Sequence, residues 1–217
     1  MSLPVIDYAT LVFDCDGVVL NSNQVKTDAF YQAALPYGEA AARAMVDYHV
    51  AHGGVSRYKK FAHFLENIVS HQAGPDLDSL LASYASRVKE GLLNCEVTPG
   101  LQALRDASPD ARWLIVSGGD QAELRDVFAQ RGLARLFEGG IFGSPDTKDE
   151  ILAGELASDN IRQPALFLGD SKYDHEAASR AGLDFVFLSG WSEVAHWQGW
   201  VVCEGITALP DIKALME

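Results

Sequence analysis

Asp14 and Asp16 stand two residues apart at the end of an apolar run, in the stretch Thr-Leu-Val-Phe-Asp-Cys-Asp-Gly-Val-Val-Leu-Asn-Ser that occupies positions 10–22. Leu11, Val12 and Phe13 read as a buried strand that stops at Asp14, and Gly17 allows a turn directly after the second acid. Carboxylates leaving a buried strand are costly to desolvate without a partner. A hard divalent cation supplies one, because such ions take oxygen ligands. The pair is therefore expected to hold a metal and to leave one carboxylate free to react.

Three further strand ends carry groups of the same kind. Ser117-Gly118-Gly119 follows the run Trp113-Leu114-Ile115-Val116 and precedes a helix whose start reads as Asp120 with Glu123 three residues on. Small residues there let backbone amides approach an anion closely, and the hydroxyl adds a donor. The bland alternative is a simple turn. Thr147 and Glu150 read as a capping box that puts Lys148 in the first turn of a helix, where a cation opposes the helix dipole. Lys148 is either a solvated lysine or one turned back toward a shared phosphate. In Gly169-Asp170-Ser171-Lys172-Tyr173-Asp174, Asp170 leaves a strand as Asp14 does, and Asp174 lies one helical turn further on. Asp170 could be a helix cap, yet all of these strand ends together are hard to explain as caps.

The elements that must position these groups follow two textures. Positions 23–93 hold no convincing strand, and apolar residues recur at helical spacing: Val25, Ala29, Phe30 and Ala33; Ala42, Met45, Val46 and His49; Phe61, Phe64, Leu65 and Ile68; Leu80, Leu81, Tyr84, Val88 and Leu92. From Pro99-Gly100 onward, short apolar runs at 113–116, 140–142, 165–168 and 185–188 alternate with helical stretches such as 121–131 and 149–156. That alternation predicts an α/β fold with a doubly wound parallel sheet. In such sheets ligands sit beyond the carboxyl ends of the strands. The expected division is a Rossmann-like core from 1–20 and 94–217 and an inserted helical domain at 21–93.

The combination and order of these motifs resemble the haloacid dehalogenase superfamily of phosphohydrolases. Asp14-Cys15-Asp16-Gly17-Val18 matches its first motif, Ser117 its second, Lys148 its third, and Gly169-Asp170-Ser171 with Asp174 its fourth. The helical insertion resembles the cap of the phosphoglycolate phosphatase and β-phosphoglucomutase-like subgroup. The resemblance implies Asp14 as nucleophile and Asp16 as general acid and base. It implies Mg²⁺ held by Asp14, the backbone carbonyl of Asp16 and Asp170, with Asp174 a direct or an outer ligand. Lys148 would offset phosphoryl charge, and Ser117 with the Gly118 amide would hold phosphoryl oxygens. An acid at position 16 favours phosphoryl transfer over dehalogenation, whose enzymes lack one there. Asn21 departs from the acidic residue usual in that linker.

Specificity is expected from the insertion. Gly53-Gly54-Val55-Ser56-Arg57 resembles the cap loop of β-phosphoglucomutases, and Arg57 could clamp a second anionic group or simply open a helix at the surface. Lys26 is a further substrate-binding candidate. The scattered histidines His49, His52, His63 and His71 show no closing ligand set for a metal. Trp191, Trp197 and Trp200 read as core or oligomer contacts, since base stacking needs a basic groove. A net charge of −13 argues against nucleic acid and anionic membranes as partners. No apolar run is long enough to span a bilayer, and positions 1–7 lack the features of a signal peptide. Cys15, Cys95 and Cys203 fit reduced thiols in a cytoplasm, and Asn21 stands where a thiol-phosphatase loop needs its arginine. A monomer or homodimer acting on a small phosphorylated metabolite is expected as a phosphatase. The alternatives are a β-phosphoglucomutase-like phosphomutase and a non-catalytic phosphate-binding protein.

Overall fold

A computed structural model of the chain describes residues 7–216. Of the positions read for a leader, 1–7, the first six lie outside the described residues, as does residue 217. The chain enters the sheet through β1 (Thr10–Phe13) and then leaves it for four helices, α1 (Asn23–Ala34), α2 (Glu39–Ala51), α3 (Arg57–His63) and α4 (Leu77–Asn94). It returns through α5 (Leu101–Ala107) and alternates strand with helix: β2 (Arg112–Asp120), α6 (Gln121–Gln130), β3 (Gly140–Ser144), α7 (Lys148–Ala157), β4 (Ala165–Gly169), α8 (Lys172–Ala181), β5 (Asp184–Leu188), α9 (Trp197–Glu204) and β6 (Thr207–Leu209).

The six strands stand in the order β3-β2-β1-β4-β5-β6, and every pairing is parallel. β1 lies between β2 and β4, with Phe13 opposite Ile115 on one side and Leu168 on the other. Chain order therefore reverses direction at β1, which makes the crevice beyond its carboxyl end the place for a ligand. Asp14, Ser117 and Asp170 emerge from three adjacent strands at that end.

Strand residues divide between the faces. Leu11, Phe13, Trp113, Ile115, Leu166 and Leu168 join one buried cluster, while Val12, Leu114, Val116 and Phe167 join another with Ile151 and Leu152 of α7. Both faces are covered by apolar side chains, so these strands read as unbroken apolar runs. The first cluster is tightened by Phe13 against Trp113 and Phe137, with ring centroids 4.7 and 5.5 Å apart. It continues without a break into the helical insertion through Val18, Leu20, Phe30, Met45, Phe61, Phe64 and Tyr84. The insertion thus rests on the sheet through an apolar joint.

The predicted helical faces are found, with one change of geometry. The stripe from Phe61 to Ile68 does not run as a single α-helix; α3 ends at His63 and the chain continues as a π-turn over Phe64–Ile68. Two elements lie beyond the apolar pattern that the sequence offers. α9 is an eight-residue helix, and β6 adds a three-residue edge strand paired to β5. Trp197 and Trp200 of α9 are half-buried on Phe187 of β5, at 5.6 and 5.3 Å. No described helix is long and apolar enough to cross a membrane.

Candidate active site

Asp14 follows β1 directly and is 3% exposed. Lys148 is the first residue of α7, behind the Thr147–Glu150 capping box, and its side chain is fully buried. The ammonium turns back to the sheet. It lies 2.9 Å from Asp14 Oδ1 and bonds Asp174 Oδ1. A cation in the first turn opposes the helix dipole; two carboxylates offset that cost here. The other oxygen of Asp174, Oδ2, accepts from the Asp170 and Ser171 amides at 3.2 and 3.0 Å and from Ser171 Oγ at 2.7 Å. Asp174 and Ser171 form the capping box of α8, with Ser171 rather than Asp170 as the cap. Asp170 is thereby free to face the crevice. Its Oδ2 accepts from Asn23 Nδ2 at 2.7 Å, and the same amide donates to the Trp191 carbonyl at 2.8 Å.

Gly17 is required at its position. Its φ is +73°, and a Cβ placed there would stand 2.0 Å from Asp170 Oδ2. Glycine alone accepts both the left-handed turn and that contact.

Asp16 is bonded by two residues of the insertion's entry. Ser22 Oγ donates to Oδ1 at 2.5 Å, and Lys26 of α1 pairs with Oδ2. Burial is the largest single influence and opposes its charge, but Lys26, Ser22 and Lys148 together outweigh it and hold the carboxyl below the usual carboxylate range. Lys26, reciprocally, is held above the ordinary lysine value by Asp16 in spite of burial. Lys26 thus stands on the second aspartate. Asp14 behaves oppositely. Burial, reinforced by Asp174 and Asp16, pushes its carboxyl up to about 7 against the pull of Lys148. Asp170 is raised well above the ordinary value by burial and by Asp14.

Ser117 is fully buried in β2, and its Oγ accepts from the Gly119 amide at 3.0 Å. A Cβ on Gly118 would meet the Gly54 carbonyl at 2.1 Å. The loop between α2 and α3 therefore sits directly on the Ser-Gly-Gly turn. Arg57 opens α3, but it is buried, not at the surface. Its guanidinium lies 3.2 Å from both Glu123 oxygens and 3.4 Å from Asp120. Tyr58 Oη adds a 2.7 Å bond to Asp120. In this arrangement Arg57 joins insertion to sheet and has its charge matched by Glu123 and Asp120.

Asp14, Asp16, Lys26, Arg57, Gly118 and Asp170 line one cavity between insertion and sheet. The sequence profile of the haloacid dehalogenase-like hydrolases matches residues 8–182. The chain belongs to this family. No curated protein matches it. Among solved structures, a haloacid dehalogenase-like family protein from Streptococcus pneumoniae is 18% identical, with 99% of each chain covered and a TM-score of 0.69. A proposed phosphoglycolate phosphatase from Lactobacillus plantarum is 20% identical, with 96% of this chain and 98% of that one covered and a TM-score of 0.72. A proposed β-phosphoglucomutase from Thermotoga maritima is 17% identical, with 95% and 96% covered and a TM-score of 0.64. At such identities these likenesses speak for the fold alone.

The family generally uses Mg²⁺, and the donors of this hydrolase fit such an ion. Asp14, Asp170 and Asp174 can each offer an oxygen within 4.8 Å of the others, all buried. Asp14 Oδ1 is buried with no donor directed at it in hydrogen-bonding geometry, although Lys148 is close. Asp174 has both oxygens engaged, Oδ1 by Lys148 and Oδ2 by the 170–171 turn, and is the most committed of the three to protein partners.

Residue patterns did not single out three residues lining this hydrolase's crevice, Asn23, Glu193 and Lys60, nor Ser192 beside it. Asn23 and Ser192 fix Asp170, Ser192 Oγ donating to its carbonyl at 2.6 Å. Glu193 accepts from Thr27 Oγ1 at 3.2 Å. Lys60 lies beside His49. Lys60 had a signal, since 57, 60, 61 and 64 share one helical face and a lysine on an apolar face needs a reason.

Proposed function

We propose that this hydrolase removes the phosphoryl group from a small phosphomonoester metabolite, with Asp14 as nucleophile. The observation that carries this reading is Asp14 itself. It is buried at the end of the central strand, an ammonium stands 2.9 Å away, and Oδ1 lacks a directed donor. In the first half-reaction an Asp14 oxygen bonds to phosphorus as the bond to the leaving oxygen breaks, and Asp16 gives that oxygen its proton. In the second, Asp16 takes a proton from water, the water oxygen bonds to phosphorus, and phosphate departs from the restored Asp14 carboxylate.

Lys26 and Ser22 hold Asp16 as the carboxylate, the form that the second half needs. A dianionic phosphoryl group arriving beside Asp16 raises its proton affinity, which supplies the acid for the first half. Ser117 and the Gly118 amide hold phosphoryl oxygens, and Lys148 offsets their charge. Bound between Asp14 and Asp170, Mg²⁺ would supply further positive charge for the transferring group. The helical insertion acts as a cap in this reading. Its Gly54 loop rests on Gly118 at the edge of the crevice, so substrate reaches Asp14 past the cap.

Inorganic phosphate released from a panel of sugar phosphates, phosphorylated acids and an aryl phosphate, with Mg²⁺ and with chelator, tests the proposal. Steady release that stops on chelation is expected. No release from any member contradicts it. Interconversion of sugar phosphates that depends on a bisphosphate, with little free phosphate, would instead indicate the phosphomutase.

A further inference from the structure

Four buried or nearly buried cations surround the crevice, and three have carboxylate partners. Lys148 meets Asp14 and Asp174, Lys26 meets Asp16, and Arg57 meets Glu123 and Asp120. Lys60 is 2% exposed and makes no ion pair among the described residues. Its Nζ lies 2.6 Å from His49 Nδ1 and 3.3 Å from the His49 carbonyl, with the Phe30 ring centroid 5.5 Å away. A buried cation without a counter-charge is unfavourable unless something supplies one.

His49 sharpens the point. An ammonium only donates, so Nδ1 accepts and the neutral ring carries its proton on Nε2. That Nε2 is buried and has no partner. Burial and the neighbouring Lys60 push the imidazole down to about 2, so it remains neutral. Lys60 and His49 both line the crevice that holds Asp14 and Asp16. Two donors, one of them charged, thus border the space reserved for the substrate: His49 Nε2 has no acceptor, and Lys60 has only neutral ones, both on His49.

We propose that Lys60 and His49 form a receptor for a second anionic group on the organic part of the substrate, and that this pair sets the specificity of the hydrolase. The proposal rests on the phosphomonoesterase reading. A carboxylate suits the pair, since it offers two oxygens to two donors and its single charge matches the one ammonium. Arg57, whose charge is already matched, is not needed for this contact.

The proposal has a pH signature. The groups acting on Lys60 are Lys26 and Lys148, which disfavour its charge, Asp16 and Glu193, which favour it, and neutral His49; burial dominates and pushes its ammonium down to about 7. Recognition of the second anion requires the protonated lysine, so the preference fades as pH rises above about 7.

The test uses the full chain with Mg²⁺ and matched pairs of phosphomonoesters of increasing chain length, each pair differing only in a terminal alcohol or carboxylate, for example glycerol 3-phosphate and 3-phosphoglycerate. At the fitting length the acid should exceed the alcohol in kcat/KM by roughly tenfold to a hundredfold, the range for a hydrogen bond to a charged group. The difference should lie mainly in KM. In Lys60→Met the ratio should fall toward one, and Lys60→Arg should restore much of it without the loss above neutral pH. Equal handling of acid and alcohol at every length by the unaltered enzyme overturns the proposal and leaves the phosphatase standing. No phosphate release from any member overturns the phosphatase reading on which the proposal rests.

Discussion

At the scale of the residue, the site is an arrangement of matched charges around one carboxylate oxygen, Asp14 Oδ1, that no directed hydrogen bond engages. Lys148 belongs to this group because Asp14 and Asp174 repay its place at a helix start. Lys148→Met should therefore lower kcat by roughly a hundredfold or more, the scale of losing one charge-stabilising donor at a transition state. A variant that keeps full turnover would remove Lys148 from the chemistry. Lys26 does different work. Replacing it by Met leaves Asp16 nearly buried without its cation, which should destabilise the fold by about 3 kcal/mol, the lower end for breaking a buried pair. Denaturant unfolding monitored by fluorescence reads that loss directly, and an unchanged midpoint would mean that the pair contributes nothing. Asp14, Asp16, Lys148 and Asp170 could be found from the residue string because each violates a local rule: an acid ends an apolar run, or a cation opens a helix. The partners of Lys26 and Arg57 could not. Arg57 and Glu123 are 66 positions apart, and only the folded chain brings them within 3.2 Å.

At the scale of the element, the decisive contact is a loop against a turn. Gly54 rests on Gly118, where a Cβ would come within 2.1 Å of the carbonyl oxygen. Gly118→Ala should hold the α2–α3 loop off the sheet, raise KM, and speed hydrogen exchange in that loop, while the sheet exchanges as before. Identical exchange in the loop would show that the contact does not seat the insertion. A capping box makes the start of α7 readable, since a Thr with an acid three residues on satisfies the orphan amides there, whereas α8 is capped by Ser171, one residue beyond the Asp170 cap that the sequence offered. The π-turn after α3, α9 and β6 have no such marker. β6 is three residues on an edge, and α9 is apolar with little periodicity, so neither offers a pattern distinct from a loop.

At the scale of the whole molecule, strand order converts distance in sequence into proximity. Continuous apolar runs predicted a parallel sheet covered on both faces, but they do not specify order. Placing β1 between β2 and β4 is what brings Asp14 beside Ser117 and Asp170. That crowding has a thermodynamic consequence. Burial with Asp174 and Asp16 raises the proton affinity of Asp14, and burial with Asp14 raises that of Asp170, in a chain whose net charge is −13; a bound cation would relieve both. Millimolar Mg²⁺ should raise Tm, and Asp170→Asn should abolish that rise. An equal rise in the variant would place the ion elsewhere.

The central claim is that Asp14 bonds to phosphorus. Acid quenching during turnover of a hydrolysed phosphomonoester, followed by peptide mass analysis, tests it most directly. The account predicts a phosphoryl adduct on the peptide carrying Asp14, one that is labile to base and disappears as substrate is exhausted. Turnover with no adduct on that peptide at any quench time, together with undiminished phosphate release by Asp14→Asn, would contradict it.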